Sequence, residues 1–194
     1  MGHLVGVVVP IRSFRGAKAR LADRLSEAAR AVLARELATR VVRAAAPLSV
    51  VVVTAAPEVR EWAHEMGVDV VDDPGTGLDA AAAAGCGHLG DLGFVRAIVA
   101  HADLPDAETL APIGDDRDRP VVVLVPCHRA DGTNVCSVPL PLTFEFSYGP
   151  GSFRRHEANA IALGLDVRVV HRADLAFDID VPADYELLMA RSGA

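Results

Sequence analysis

The segment FDIDVPADY, residues 177–185, sets Asp178 and Asp180 two positions apart just before Pro182. In extended backbone, residues i and i+2 project to the same side, so the two carboxylates aim together. Like charges held side by side repel unless a cation stands between them. Two readings follow. One is a solvated turn in which Asp180 or a neighbour caps a helix starting at Pro182; the other is a divalent-metal site. A third carboxylate, Asp103 in HADLP, ends the apolar run FVRAIVAHAD, where it could ligate a metal or cap a helix starting near Asp106. Three carboxylates at strand ends make a hard oxygen set. Such a set suits Mg²⁺, which keeps waters and shares its shell with substrate phosphates.

A second group of residues points to phosphate. PIRSFRGAKARL, residues 10–21, carries Arg12, Arg15, Lys18 and Arg20 around Gly16. Four cations in a loop after a strand suggest phosphate binding, with the lysine as a point charge and the backbone as a nest. A solvated basic loop is the plainer alternative. Neither the Walker A pattern nor G-x-G-x-x-G is present. YGPGSFRRH, residues 148–156, is a glycine turn entering a helix whose first turn holds Ser152, Arg154 and Arg155. Free N–H groups, a hydroxyl and arginines form an anion site, and simple N-capping by Ser152 is compatible with that role. DGTN, residues 131–134, completes the set. Among the histidines, His101 alternates to the side of Asp103, and His156 stands where it could approach a phosphate. His64, His88, His128 and His171 read as surface or edge residues, and no pair has zinc spacing. Trp62 reads as a packing residue.

Strands and helices must place these groups. LVGVVVP, residues 4–10, is a continuous β-branched run, as expected of a strand buried on both faces. SEAARAVLARELATRVVRAAA follows as a helix with Ser26 as N-cap. SVVVVTA, VDVVDD, FVRAIVAHADLP, PVVVLVP and LDVRVV read as further strands. Helices are expected at residues 57–66, in LDAAAAAGCGHLG, in GSFRRHEANAIALG with Gly164 as its stop, and in PADYELLMARSG. Gly85 and Gly87 should weaken the C-terminal half of LDAAAAAGCGHLG. CSVPLPLTFEF is unusually apolar for its place. Alternation of this kind predicts an α/β fold, a three-layer α/β/α sandwich around a mainly parallel sheet, in a single domain over residues 1–194. Ligands of such sheets bind beyond the carboxyl ends of the strands, where the flagged residues stand.

The composition narrows the class. With 51% hydrophobic and 23% charged residues the chain is an ordinary globular one, and its net charge of −7 argues against a generic nucleic-acid or membrane-surface binder. No run of 18 apolar residues occurs. MGHLVGVVVPIRS lacks the features of a signal peptide, and Gly6 stands where a myristoylation signal needs Ser or Thr. Cys86, Cys127 and Cys136 show no C-x-x-C spacing and read as buried small residues of a reducing compartment, the cytoplasm.

Taken in order, VPIRSFRGAKARL, HADLP, DGTN, YGPGSFRRH and DIDVPADY resemble the CofC/FbiD family of guanylyltransferases of coenzyme F420 biosynthesis, over Val5 to Met189. GPGSF..H and DIDVPAD are the most specific pieces; AKARL and ADLP are shared more widely among nucleotidyltransferases. The resemblance implies the nucleotidyltransferase fold and transfer of GMP from GTP to the phosphate of a small phosphorylated carboxylic acid. Phosphoenolpyruvate is the favoured acceptor, with 2-phospho-L-lactate and 3-phospho-D-glycerate as alternatives. It implies Mg²⁺ on Asp103, Asp178 and Asp180, and the phospho-acid on Thr133, Gly149 and Ser152. Lys18 would meet the triphosphate, helped by Arg12 or Arg20, and Lys18 and Asp103 would be the catalytic pair. A related enzyme using another nucleotide or acceptor, and a non-catalytic metabolite-binding protein of the same fold, are the rival readings. Partners are then GTP and the phospho-acid, with no nucleic acid and no membrane; a homo-oligomer is compatible with the sequence.

Overall fold

Valine-rich runs too short for helices become strands covered on both faces, and the computed structural model, which describes residues 4–116 and 119–192, joins them in one seven-stranded sheet. The strands are β1 (Val5–Pro10), β2 (Ser49–Val53), β3 (Asp69–Val71), β4 (Arg96–Ala100), β5 (Val121–Pro126), β6 (Thr133–Pro139) and β7 (Asp166–Val169). Their order is β3-β2-β1-β4-β6-β5-β7. β6 runs antiparallel to β4 and β5, and every other pairing is parallel. The helices are α1 (Glu27–Ala44), α2 (Pro57–Glu65), α3 (Leu78–Asp91), α4 (Ser152–Ala162), the short α5 (Ala173–Ala176) and α6 (Pro182–Ser192).

Alternation along β1 builds the expected three layers. Val7 and Val9 pack with Val41 and Val42 of α1 and with Trp62 of α2. Val8 turns to the other face, against Ala82 and Cys86 of α3 in the cluster that Ala160 of α4 also joins. Ser26 caps α1 as expected, accepting from the Ala29 N–H at 3.2 Å. The chain winds outward from β1 through β2 to β3, then crosses back to β4 on the other side of β1. That reversal opens a crevice between the loops after β1 and β4.

Four local expectations are corrected. β6 covers part of DGTN and of the apolar CSVP stretch, where no strand was anticipated. Its polar Thr133, Asn134 and Ser137 disguise a fully buried strand, and their hydrogen bonds are made internally. β4 stops at Ala100, so Asp103 lies in the loop beyond it. No helix starts near Asp106; a 3-10 turn follows only at Ala111–Gly114. Residues 177–180 belong to no ladder. Their alternation survives because Phe177 and Ile179 sink into a small cluster with Leu21 and Leu37, which sends Asp178 and Asp180 the other way.

Gly85 does not weaken α3. A Cβ there would lie 2.3 Å from Val8 Cγ1 and 2.9 Å from Val53 Cγ2, so the missing side chain is what lets the helix sit on the sheet. At Gly87 nothing lies within 4 Å. Gly85→Ala should therefore lose roughly 1–3 kcal/mol in urea denaturation, overpacking outweighing the gain in helix propensity. Gly87→Ala should instead gain up to about 1 kcal/mol. Equal effects at the two positions would contradict this packing account.

Candidate active site

The loop after β1 is fixed before it reaches its lysine. Phe14 packs edge-on to Trp62, with ring centroids 5.3 Å apart, and Ser13 Oγ donates to Glu58 Oε1 at 2.5 Å. Lys18 then takes a left-handed conformation, φ 53° and ψ 41°, which costs a non-glycine residue about 1–2 kcal/mol. A 3-10 turn, Ala19–Leu21, follows and buries Leu21 beside Phe177 and Ile179. This turn delivers Lys18 Nζ to 2.5 Å from Asp103 Oδ2 and 3.8 Å from Asp180 Oδ1. The loops after β1 and β4 and the segment before α6 thus converge on one ammonium.

Three acids share this place but not one electrostatic state. Burial would raise the Asp103 carboxyl, but the charges of Lys18 and His101 and the Lys18 hydrogen bond outweigh it and hold the group below its ordinary value. Asp178 is pushed the other way, first by burial and then by repulsion from Asp103 and Asp180; Arg129 and His128 offset only part of this. Asp103 Oδ1 and Asp178 Oδ1 are buried without hydrogen-bond partners. Among the described residues, no three His, Cys, Asp or Glu side chains are gathered ready around a metal position. An ammonium stands among the carboxylates instead. These two oxygens, neither of them in a hydrogen bond, with Asp180 half exposed beside them, are a hard donor set that fits Mg²⁺.

The capping role considered for Asp180 falls to Asp184. Asp184 Oδ2 accepts the N–H groups of Asp180 and Val181, both at 2.9 Å, and Arg129 Nη2 at 2.7 Å. Asp180 is left free to face the cleft. His128, read as a surface or edge residue, is exposed as expected, and its Nδ1 lies 3.3 Å from Asp178 Oδ1. Its Nε2 is 3.0 Å from Arg129 Nη1. Arginine can only donate, so Nε2 accepts and the imidazole proton sits on Nδ1, facing Asp178. Asn134 Nδ2 donates to the carbonyls of Leu175 and Ala176, fixing the backbone that leads to the acid pair. Of these residues only Asp184 had a local signal, an acid at the third position of a Pro-started helix.

The opposite wall is the loop before α4. Gly149 (φ 104°) and Gly151 (φ 72°) take backbone that an L side chain would strain. Gly151, not Ser152, is the N-cap of α4; Ser152 is its first helical residue, and Ser152 Oγ accepts from the Thr133 N–H at 3.1 Å. Asp131 Oδ1 accepts from Gly151 N–H, and Asp79 Oδ1 from Tyr148 N–H. Arg155, expected at an anion, folds back onto the carbonyls of Ser147, Tyr148 and Pro150. Thr133 is fully buried and does not line the cleft; its hydroxyl meets His156 Nδ1 at 3.0 Å. His156 does not face the cleft either. It is fully buried and accepts the Ser147 N–H on Nε2.

Between these walls lies a cleft of about 970 Å³, lined by Arg12, Arg15, Lys18, Arg20, His101, Asp103, Gly149, Ser152, Asp178 and Asp180 among others. The Arg12 and Arg20 side chains are exposed at its rim and make no hydrogen bond or ion pair with described residues. The structure therefore brings Arg12, Lys18, Arg20, Asp103, Gly149, Ser152, Asp178 and Asp180 to one cleft, whereas Thr133 and His156 support its wall from behind and Arg154 and Arg155 do not line it.

Comparison with known proteins bears on the chain as a whole. The family described as guanylyl transferase CofC like matches residues 5–194. A phosphoenolpyruvate guanylyltransferase of Rubrobacter xylanophilus is 36% identical, over 97% of this chain and 95% of that protein. Another, from Chloroflexus aggregans, is 34% identical over 91% and 93%. A 3-phospho-D-glycerate guanylyltransferase of Phenylobacterium zucineum is 28% identical over 91% and 86%. Among solved structures, a protein described as a nucleotide-diphospho-sugar transferase of Desulfovibrio desulfuricans aligns with a TM-score of 0.77 at 13% identity, over 97% of this chain and 87% of its own. A nucleotidyl transferase of Methanothermobacter aligns at 0.65 and 21% identity, over 98% of both chains. These structures share the nucleotidyltransferase fold.

The buried His156 yields a pH prediction. Burial lowers its pKa to about 4, with Arg155 and His101 adding to the fall and Asp79 partly opposing it. The unfolded chain, with an ordinary value near about 6.5, binds the proton first as pH falls. Stability from this group is complete above about pH 6.5 and is lost as pH drops toward about 4, to a total of about 3 kcal/mol. Urea denaturation at a series of pH values, with imidazole NMR of His156, measures this. An imidazole titrating near about 6.5 in the folded protein would refute it.

Proposed function

Because the chain belongs to the CofC-like guanylyl transferase family, we propose that it transfers GMP from GTP to the phosphate of phosphoenolpyruvate, a step of coenzyme F420 biosynthesis. The observation that carries this reading is the convergence of two strand-end loops on one ammonium–carboxylate group at the sheet's reversal point. It is supported by relatives, named for phosphoenolpyruvate, that match nearly end to end.

In the reaction, an anionic oxygen of the acceptor phosphate attacks the α-phosphorus of GTP. A new P–O bond forms, the bond from the α-phosphorus to the bridging oxygen breaks, and pyrophosphate leaves with the electron pair. The nucleophile is already deprotonated, so no general base is needed, and catalysis is a matter of placing and neutralising charge. Lys18, with Arg12 and Arg20 at the rim, meets the phosphates of the nucleotide and offsets the charge that grows on pyrophosphate. Ser152 Oγ, which accepts from Thr133 N–H, keeps its own proton for the acceptor, and the open backbone at Gly149 lets that acid approach closely. Asp103, Asp178 and Asp180 would hold Mg²⁺, which when bound polarises phosphoryl oxygens and offsets their charge. Three buried free thiols suit a cytoplasmic enzyme, and no described helix is long and apolar enough to cross a membrane.

Pyrophosphate release from GTP and Mg²⁺, with phosphoenolpyruvate, 2-phospho-L-lactate and 3-phospho-D-glycerate in separate reactions, tests the proposal. Phosphoenolpyruvate should support turnover best. Asp103→Asn or Asp180→Asn should lower it by at least about 100-fold while the variants melt near wild type. A folded wild-type protein inert with all three acids would rule out the reading.

A further inference from the structure

The carboxylate group already holds a cation of its own. Lys18 Nζ lies at 2.5 Å from Asp103 Oδ2 and 3.8 Å from Asp180 Oδ1, and its side chain is only 12% exposed. The backbone takes a left-handed turn at this residue, with no glycine to ease it, and so aims the ammonium inward. Two rival accounts fit a lysine in this place. It could anchor Asp103 for a metal, or it could stand in for one. The arrangement of the oxygens distinguishes them. An anchored, metal-ready site would have its free oxygens gathered about a common point, but among the described residues no such gathering of acids exists. Instead Asp103 Oδ1 makes no hydrogen bond and Asp178 Oδ1 has His128 Nδ1 at 3.3 Å, while the ammonium takes the remaining oxygen of Asp103.

We infer that Lys18 is the resident counter-ion of Asp103 and Asp180 within this acid group and competes directly with a divalent cation for their oxygens. This rests on the reading of the group as a metal site. An ammonium and a divalent ion cannot both occupy Asp103 Oδ2 without strong repulsion across a half-buried site. The protein alone is therefore a poor metal binder. Lys18 must find another anion before the cation settles, and the phosphates of an incoming nucleotide are the chemistry that provides one. Metal and nucleotide then enter as a pair, and Lys18 couples their arrival. The ammonium also keeps Asp103 and Asp180 compatible with one cleft in the empty protein.

The test uses the full chain and Mn²⁺ alone, with no nucleotide and no acid, following free Mn²⁺ by electron paramagnetic resonance. Lys18→Met keeps an unbranched side chain one atom shorter and removes the charge. It should bind Mn²⁺ at least about tenfold more tightly than wild type. Adding Asp103→Asn to that variant should abolish the gain. Lys18→Gln provides a second neutral variant should Lys18→Met fail to melt like wild type. Equal or weaker binding by a folded neutral variant would overturn the inference and make Lys18 an anchor for Asp103. The pyrophosphate assay on wild type keeps the two ideas apart: turnover without tighter Mn²⁺ binding by the variants sinks only the exchange. Tighter binding without turnover sinks only the guanylyl transfer.

Discussion

The site depends on a crowding of charge where β1 and β4 end: the Lys18 ammonium faces Asp103 and Asp180, and Asp178 beside them has His128 and Arg129 to offset it. Lys18 and Asp103 are the only described pair linking those two loops directly, at 2.5 Å, and the sheet's reversal is what brings the loops side by side. The cations do not balance the three acids alike. The difference is expressed in opposite shifts, Asp103 held below its ordinary range by its lysine and Asp178 driven above its own by burial and its acidic neighbours, which His128 and Arg129 only partly offset. Groups pushed apart in this way mark sites built for further charge. The structure sets up that demand with fixed backbone, since Asp184, Arg129 and Asn134 hold the segment carrying Asp178 and Asp180 from both ends.

The basic residues divide by what they already bind. Arg155 is committed to carbonyls of its own loop, so its charge shapes a wall and does not meet ligands. Arg12 and Arg20 make no such commitment and stand exposed at the cleft mouth. On a chain of net charge −7, an uncommitted basic rim is a local exception that draws phosphate to one place. The half of the cleft formed by the β1 loop is therefore open and charged. The half before α4 is tied by Asp79, Asp131, Arg155 and His156 into one shape.

Most of the fold was legible because its signals are local. β-branched runs, the Ser26 cap and the Pro182 start can each be read within a few residues, and they gave the layers and the parallel sheet. β6 was not legible: Thr133, Asn134 and Ser137 look like loop residues until Arg96, His156 and the α5 carbonyls supply partners from elsewhere in the chain. The same holds at the site. Asp103, Asp178, Asp180 and Lys18 stood out by type and position. His128 and Arg129 matter only because the β5 end lies beside residues 178–184, which no spacing along the chain reveals. Thr133 and His156 were flagged as ligand-facing by motif and proved to be the support behind the wall, because a motif records identity and not the direction a side chain points.

A small apolar cluster joins the two chemical halves. Leu21 follows Lys18 by three residues, while Phe177 and Ile179 alternate with Asp178 and Asp180, and all three apolar side chains are buried together with Leu37 of α1. The lysine and the acid pair are thus positioned by opposite sides of one packed unit. A side chain lost from this cluster would leave a cavity that both segments border, so its cost would fall on the cation and the carboxylates together. Charge alone would drive three acids apart, and packing beneath Asp178 and Asp180 is what keeps them beside Asp103 and its ammonium. The polar geometry above the cluster is therefore a consequence of apolar residues that never touch a ligand, and substitutions there should disturb function out of proportion to their distance from the chemistry.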